Sequence, residues 1–134
     1  MNKKELIMST IQKMGFSPDV DEDGDLIFLY QMKPIFVIIG DDEDPYLSIM
    51  FMQFHDIEEG EEALALAACN KLTRELKLVK VFVDSSFKSA TAACEFFYAN
   101  EESLEQGIRK SLHVLGVIRS LFKKNLEELS EEVS

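Results

Sequence analysis

Asp19-Val20-Asp21-Glu22-Asp23-Gly24-Asp25 is the densest array of ligand oxygens in the chain. Its spacing is that of the first half of an EF-hand loop, which takes calcium through oxygens at positions 1, 3 and 5 and turns on a glycine at position 6. That loop also needs a bidentate glutamate at position 12 and a helix behind it. Position 12 is Tyr30, and Leu26–Tyr30 has the composition of a strand. The segment therefore reads first as a solvated acidic turn, with Gly24 supplying a left-handed residue.

Other reactive side chains are sparse. There are two histidines, His55 and His113, and two cysteines, Cys69 and Cys94. No His-x-x-x-His or Cys-x-x-Cys pair sets metal ligands at short spacing. A thiol–imidazole nucleophile pair would have to be assembled in space. Cys69 stands among alanines and Cys94 in an apolar run, and in such surroundings a thiol serves as a small hydrophobe. Consecutive acids are common, but acid–base catalysis needs two carboxyls in a desolvated cleft that separates their pKa values. No pair is singled out. The chain lacks a phosphate-cradling glycine loop and a nucleophile-elbow motif. The expectation is a protein with no catalytic residues, no cofactor and no metal.

These residues must be positioned by a regular pattern of elements. Leu6, Ile7, Ile11 and Met14 recur at helical spacing before Gly15, which predicts a helix over residues 3–14. Strand-like runs follow at Leu26–Tyr30, Ile35–Ile39 and Tyr46–Phe54. Gln31-Met32-Lys33-Pro34 and Gly40-Asp41-Asp42-Glu43-Asp44-Pro45 separate them, short enough to demand antiparallel neighbours. Asp56 is the expected cap of a second helix. Acids Glu58 to Glu62 stand at its positive end, Lys71, Arg74 and Lys77 near its negative end, and small residues, Ala63 to Cys69, in its middle. Strands Leu78–Val83 and Ala90–Tyr98 flank a turn at Asp84-Ser85-Ser86, and Asn100 caps a last helix predicted over residues 101–129. In that helix Leu104, Ile108, Leu112, Leu115, Ile118, Phe122, Leu126 and Leu129 form one stripe, widened by Val114, Val117 and Leu121. A stripe so broad is covered on more than one side, either within one molecule or by a second chain. The expected architecture is α+β: one antiparallel sheet of about five strands in the order α-β-β-β-α-β-β-α, as a single domain over residues 1–134.

Composition narrows the partners. The 134 residues carry 14 bases and 25 acids, a net charge of −11, and 46% are apolar. That apolar content supports a packed core. The acidity lies entirely between Asp19 and Glu62, where 14 acids face the single base Lys33. Nucleic acid, which requires clustered Lys and Arg, is not an expected partner. No apolar run reaches the length of a membrane span, and the start Met1-Asn2-Lys3-Lys4-Glu5 is unlike a signal peptide. With two cysteines and no secretion signal, the expected compartment is the cytoplasm.

The apolar surfaces give the stronger lead. In Leu47-Ser48-Ile49-Met50-Phe51-Met52-Gln53-Phe54 both alternating faces carry large apolar side chains, whereas a half-solvated antiparallel strand keeps one face polar. Either helices cover both faces or another chain buries one. Met50 and Met52 suit an adaptable contact surface. Leu64, Ala67 and Ala68 on the second helix, with Val79 and Val81 on the following strand, are the expected dimer or partner surface.

Ala67-Ala68-Cys69-Asn70-Lys71-Leu72-Thr73-Arg74, followed by Leu78-Val79-Lys80-Val81-Phe82-Val83-Asp84, resembles the YbjN family. That group is provisionally described as bacterial sensory transduction regulators. Asp23-Gly24-Asp25-Leu26-Ile27-Phe28 and the long last helix also fit. The turn Asp84-Ser85-Ser86-Phe87-Lys88 departs from the acidic, glycine-containing turn expected there. The resemblance implies a fold like that of type III secretion chaperones, which are small acidic cytoplasmic proteins, commonly homodimers, that hold segments of partner proteins. The expected function is thus a non-enzymatic protein-binding regulator or chaperone-like adaptor, homodimeric, with a protein or peptide client. A small-ligand or calcium sensor built on the 19–25 loop is the second reading, and an uncharacterised enzyme the third.

Overall fold

Asn2 opens the first helix, its side-chain oxygen accepting the Glu5 N–H at 2.8 Å. The structure, a computed structural model, describes residues 1–133. The elements are α1 (Lys3–Lys13), β1 (Asp19–Val20), β2 (Leu26–Tyr30), β3 (Lys33–Ile38), β4 (Tyr46–Asp56), α2 (Glu62–Glu75), β5 (Val79–Val83), β6 (Ser89–Phe97) and α3 (Glu101–Val133). All strands are antiparallel in one sheet, ordered β1-β2-β3-β4-β6-β5. The expected α+β class and element order are found, with six strands in place of about five. The additional strand, β1, is two exposed residues pairing with Ile27 and Leu26. A run so short has no alternation for the sequence to display.

Local chemistry accounts for the other shifted boundaries. Gln31 and Met32 both have positive φ, 50° and 66°, forming a two-residue hairpin whose twist matches the flanking strands. Lys33 and Pro34 therefore join β3 instead of lying in the loop. Strand β4 continues past Phe54 to Asp56 because a bulge between Phe51 and His55, with Gln53 at φ 51°, lets pairing resume at His55 and Ala90. Asp56 consequently ends a strand and does not cap α2. That helix starts after Glu61, which makes no side-chain cap hydrogen bond. Asn100 does cap α3, accepting the Ser103 N–H at 2.8 Å while Ser103 Oγ accepts the Asn100 N–H at 3.0 Å. The β5–β6 turn needs no glycine. Phe87 takes the left-handed position, and the Asp84 carboxylate accepts N–H groups from Lys88 and Ser89.

The three helices pack on one face of the sheet. Leu26, Phe28, Ile35, Val37, Leu47, Ile49, Phe51, Val79, Val81, Ala92 and Cys94 point inward to meet Ile7 and Ile11 of α1, Ala65, Ala68 and Leu72 of α2, and the long stripe of α3. Helix α3 lies between α1 and α2 and above β4 and β6. The centre of its apolar stripe is thus covered within one molecule, with Leu104, Ile108, Leu115, Ile118 and Phe122 fully buried, while Val114 and Leu121 are half-buried and Val117 is exposed. Close approach to β6 occurs at Gly107, where a Cβ would fall 2.2 Å from the Phe96 ring.

Candidate functional site

Strand periodicity sends alternate residues to the side of the sheet away from the helices. Strand register aligns Ile27, Phe36, Met50, Ala93 and Lys80 in one row across five strands. A second row carries Ile38, Ser48 and Glu95, and further along stand Leu29 opposite Pro34 and Phe82 opposite Thr91. Met52 continues the outward alternation of β4. None of Ile27, Leu29, Phe36, Ile38, Met50, Met52 or Phe82 packs against the helix-covered core. Leu29 is 67% exposed and Phe97, at the end of β6, 73%. One face of the sheet therefore carries no helix and is largely apolar, with Ile27, Phe36, Ile38, Met50 and Met52 half-buried and Ala93, Ser48 and Thr91 buried among their neighbours.

A charged cluster interrupts it. Lys80 Nζ lies 2.7 Å from Glu95 Oε1, and the Tyr46 hydroxyl donates to the other carboxylate oxygen. Hydrogen bonds from Lys80 and then Tyr46 hold the Glu95 carboxyl below its usual range. The same bond to Glu95 pushes the Tyr46 phenol up to about 12. Tyr46 also packs its ring against Phe97 at 5.2 Å. The cluster is internally neutralised, so it fixes side chains without adding charge to the face.

Two acidic turns stand side by side at the end of this face from which β2 starts. They are linked because the Asp25 carboxylate accepts the Ile39 N–H at 2.9 Å. The Asp21 carboxylate is used within its own turn, accepting N–H groups of Asp23 and Asp25 at 2.9 and 3.0 Å. The 39–46 turn closes around the Lys3 ammonium, which donates to the Ile39, Asp41 and Tyr46 carbonyls. Burial lowers the Lys3 pKa, opposed by Asp44, Asp41 and Asp42. Asp19 pairs in β1, and the segment after Gly24 is strand β2, so the EF-hand arrangement is not formed. Among the described residues no three His, Cys, Asp or Glu side chains group as metal ligands.

The other reactive groups are dispersed. Burial pushes the Cys69 thiol up to about 11 and the Cys94 thiol to about 12, against thiolate formation. His55 Nε2 lies 2.8 Å from Glu61 Oε1 with its ring on Phe122, and His113 is exposed on α3. A groove of about 440 Å³ beside β1 is lined by Gly15, Phe16, Ser17 and Asp19 with residues of β2. It gathers one carboxylate and no catalytic pair.

Of the side chains expected to form a partner surface, Ala68, Val79 and Val81 are buried in the core. They hold α2 against the sheet and are unavailable to a partner. Leu64 is half-buried and faces Leu126 of α3, while Ala67 is exposed. Met50 and Met52 are half-buried on the bare face. Sequence reasoning missed Ile27, Leu29, Phe36, Ile38 and Phe82 as members of that face. The two-sided apolar character of Leu26–Tyr30 and of residues 35–39 was the available signal, the same one seen in β4.

No family model and no curated protein matches the chain. Among solved structures, it is similar to YbjN from E. coli, a proposed transcription regulator, with a TM-score of 0.64 and 13% identity. That likeness covers 96% of this chain and 92% of YbjN. Among the described residues no helix is long and apolar enough to cross a membrane. The α+β architecture, with three helices on one face of an antiparallel sheet, is the YbjN fold.

Proposed function

We propose that this protein is a non-catalytic, protein-binding regulator or chaperone-like adaptor that works as a homodimer. The observation that carries the reading is the bare apolar face of the sheet. A contiguous apolar patch on a folded domain marks an interaction surface. The likeness to YbjN, described as a proposed transcription regulator, supports a regulatory role. Dimerisation is assigned to the outward stripe of α2, where Ala63 and Ala67 are exposed and Leu66 is 46% exposed. Small side chains there let a second helix come close, and the sheet is left free for a client.

Light scattering on a sizing column tests this. Wild type elutes at twice the chain mass, and Ala67→Glu elutes as a monomer with an unchanged circular dichroism spectrum, because Ala67 makes no core contact. A wild-type monomer, or a dimer indifferent to Ala67→Glu, refutes the assigned interface.

A further inference from the structure

We propose that the bare sheet face takes a cationic amphipathic helix from a partner protein, as a third layer over the sheet. The inference rests on the protein-binding reading above and adds the chemistry of the partner. Charge complementarity sets its sign. The bare face is built mainly by β2, β3 and β4, and at one end of it the β1–β2 loop carries Asp21, Glu22, Asp23 and Asp25 and the β3–β4 loop Asp41, Asp42, Glu43 and Asp44. Two bases from α1 reach these loops, Lys3 inside the 39–46 turn and Lys4 with its Nζ 3.6 Å from where a Cβ of Gly24 would stand, so the acids remain in excess. The one ion pair on the face, Lys80 with Glu95, is already neutral. Complementary potential steers and selects partners, so apolar side chains flanked by Lys or Arg fit this surface. A second copy of the same acidic chain does not.

Backbone hydrogen bonding sets the conformation. Backbone groups of the central strands are engaged with their neighbours, so an occupant lying on the face receives no main-chain partners and must satisfy its own. A helix does this, and helices are what cover sheet faces in layered domains. Strand addition is disfavoured at the β5 edge, where the Thr73 hydroxyl accepts the Val81 N–H at 2.8 Å and donates to the Val81 carbonyl. At the opposite edge β1 covers Leu26 and Ile27. Six strands spaced about 4.8 Å apart span about 24 Å, which a helix of about 16 to 18 residues crosses.

The probes are an 18-residue peptide of roughly five helical turns with leucines at i, i+3, i+4 and i+7 and lysines elsewhere, and its glutamate counterpart. Fluorescence anisotropy at low and high salt reads binding. The lysine peptide binds the wild-type protein and weakens about tenfold at high salt, while the glutamate peptide does not bind. Binding is lost in Phe36→Thr/Met50→Gln, which removes apolar surface without adding charge. It falls about fivefold in Glu22→Gln/Asp23→Asn/Glu43→Gln, whose side chains are on the exposed turns. Ala67→Glu leaves it unchanged. Circular dichroism confirms that each variant is folded. Equal binding of both peptides, lost in Phe36→Thr/Met50→Gln, overturns the cationic helix while the adaptor reading stands. Binding insensitive to that double variant overturns the site. Loss of the dimer in the double variant assigns the face to a second copy and overturns the inference. Failure of both peptides, with a monomeric wild-type protein, overturns both readings.

Discussion

Replacing Gly107 by alanine sets two opposing effects against each other at the closest approach of α3 to the sheet. In an ordinary helix interior the change is worth about 1 kcal/mol of stabilisation. Here the new Cβ would lie 2.2 Å from Phe96 Cε2 and 2.6 Å from Cδ2 and Cζ. Carbon atoms rest about 3.5–4.0 Å apart, so the ring or the helix must retreat by more than about 1 Å. Phe96 lies between β6 and α3, opposite Leu47, and packs against the core, so neither shift is free. Overpacking of this kind costs about 1–3 kcal/mol. The net expectation is a loss of about 1 kcal/mol, or about 4 °C in Tm for a domain of this size. Urea denaturation followed by far-ultraviolet circular dichroism measures it. Two controls isolate the cause. Gly116→Ala meets Tyr30 Cε2 at 3.0 Å, a milder contact, and should come out near neutral. In a Phe96→Leu background the ring is gone, and Gly107→Ala should become stabilising. Stabilisation by Gly107→Ala in the wild-type background, or the same effect in both backgrounds, would refute the packing argument.

Other perturbations probe the edge, the polar cluster and the thiols. Thr73→Val keeps the side-chain volume but strips the Val81 edge of both hydrogen bonds. It should cost about 1–2 kcal/mol and raise concentration-dependent scattering through edge-to-edge pairing, and a variant unchanged in both respects would deny the hydroxyl that role. Tyr46, raised from 10.0 to about 12, contributes stability that is complete below 10.0 and lost as pH rises through about 12. Glu95, held low, contributes stability that is complete above the ordinary carboxylate range and lost as pH falls through its depressed value. Tyrosinate absorbance should therefore show a late-ionising phenol that Glu95→Gln shifts to lower pH, whereas an unchanged titration would sever the link. With both thiols buried and raised, neither Cys69 nor Cys94 should react with a thiol reagent in the native protein at mildly alkaline pH. Rapid labelling of either would contradict that burial.

How much was legible in the sequence depended on what each signal needs. The long stripe from Leu104 to Leu129 is periodic over many turns and located α3 without help from the fold. Runs such as Leu26–Tyr30 located strands equally well. Asp56 misled because an acid before an apolar run signals a cap in sequence, while the bulge at Gln53 that keeps residues 55 and 56 in β4 depends on the partner strand. Val79 and Val81 were expected to face a partner and instead face α2, because two-sided apolar strands do not say which side the helices take. For the same reason Met50 and Met52 were noticed while Ile27, Phe36 and Ile38 were not. Only the sheet order puts them on one face. The acidic 19–25 turn shows the opposite case, since Tyr30 at position 12 already argued against an EF-hand before the hairpin was seen.

Hydroxyl-radical footprinting of the protein, diluted below and concentrated above dimer formation, tests the central claim most directly. The account predicts that Leu66 on α2 becomes protected on concentration while Met50, Met52 and Phe36 stay equally reactive, leaving the sheet face open for a client. Protection of Met50, Met52 and Phe36 with Leu66 unchanged would place the dimer on the sheet and contradict it.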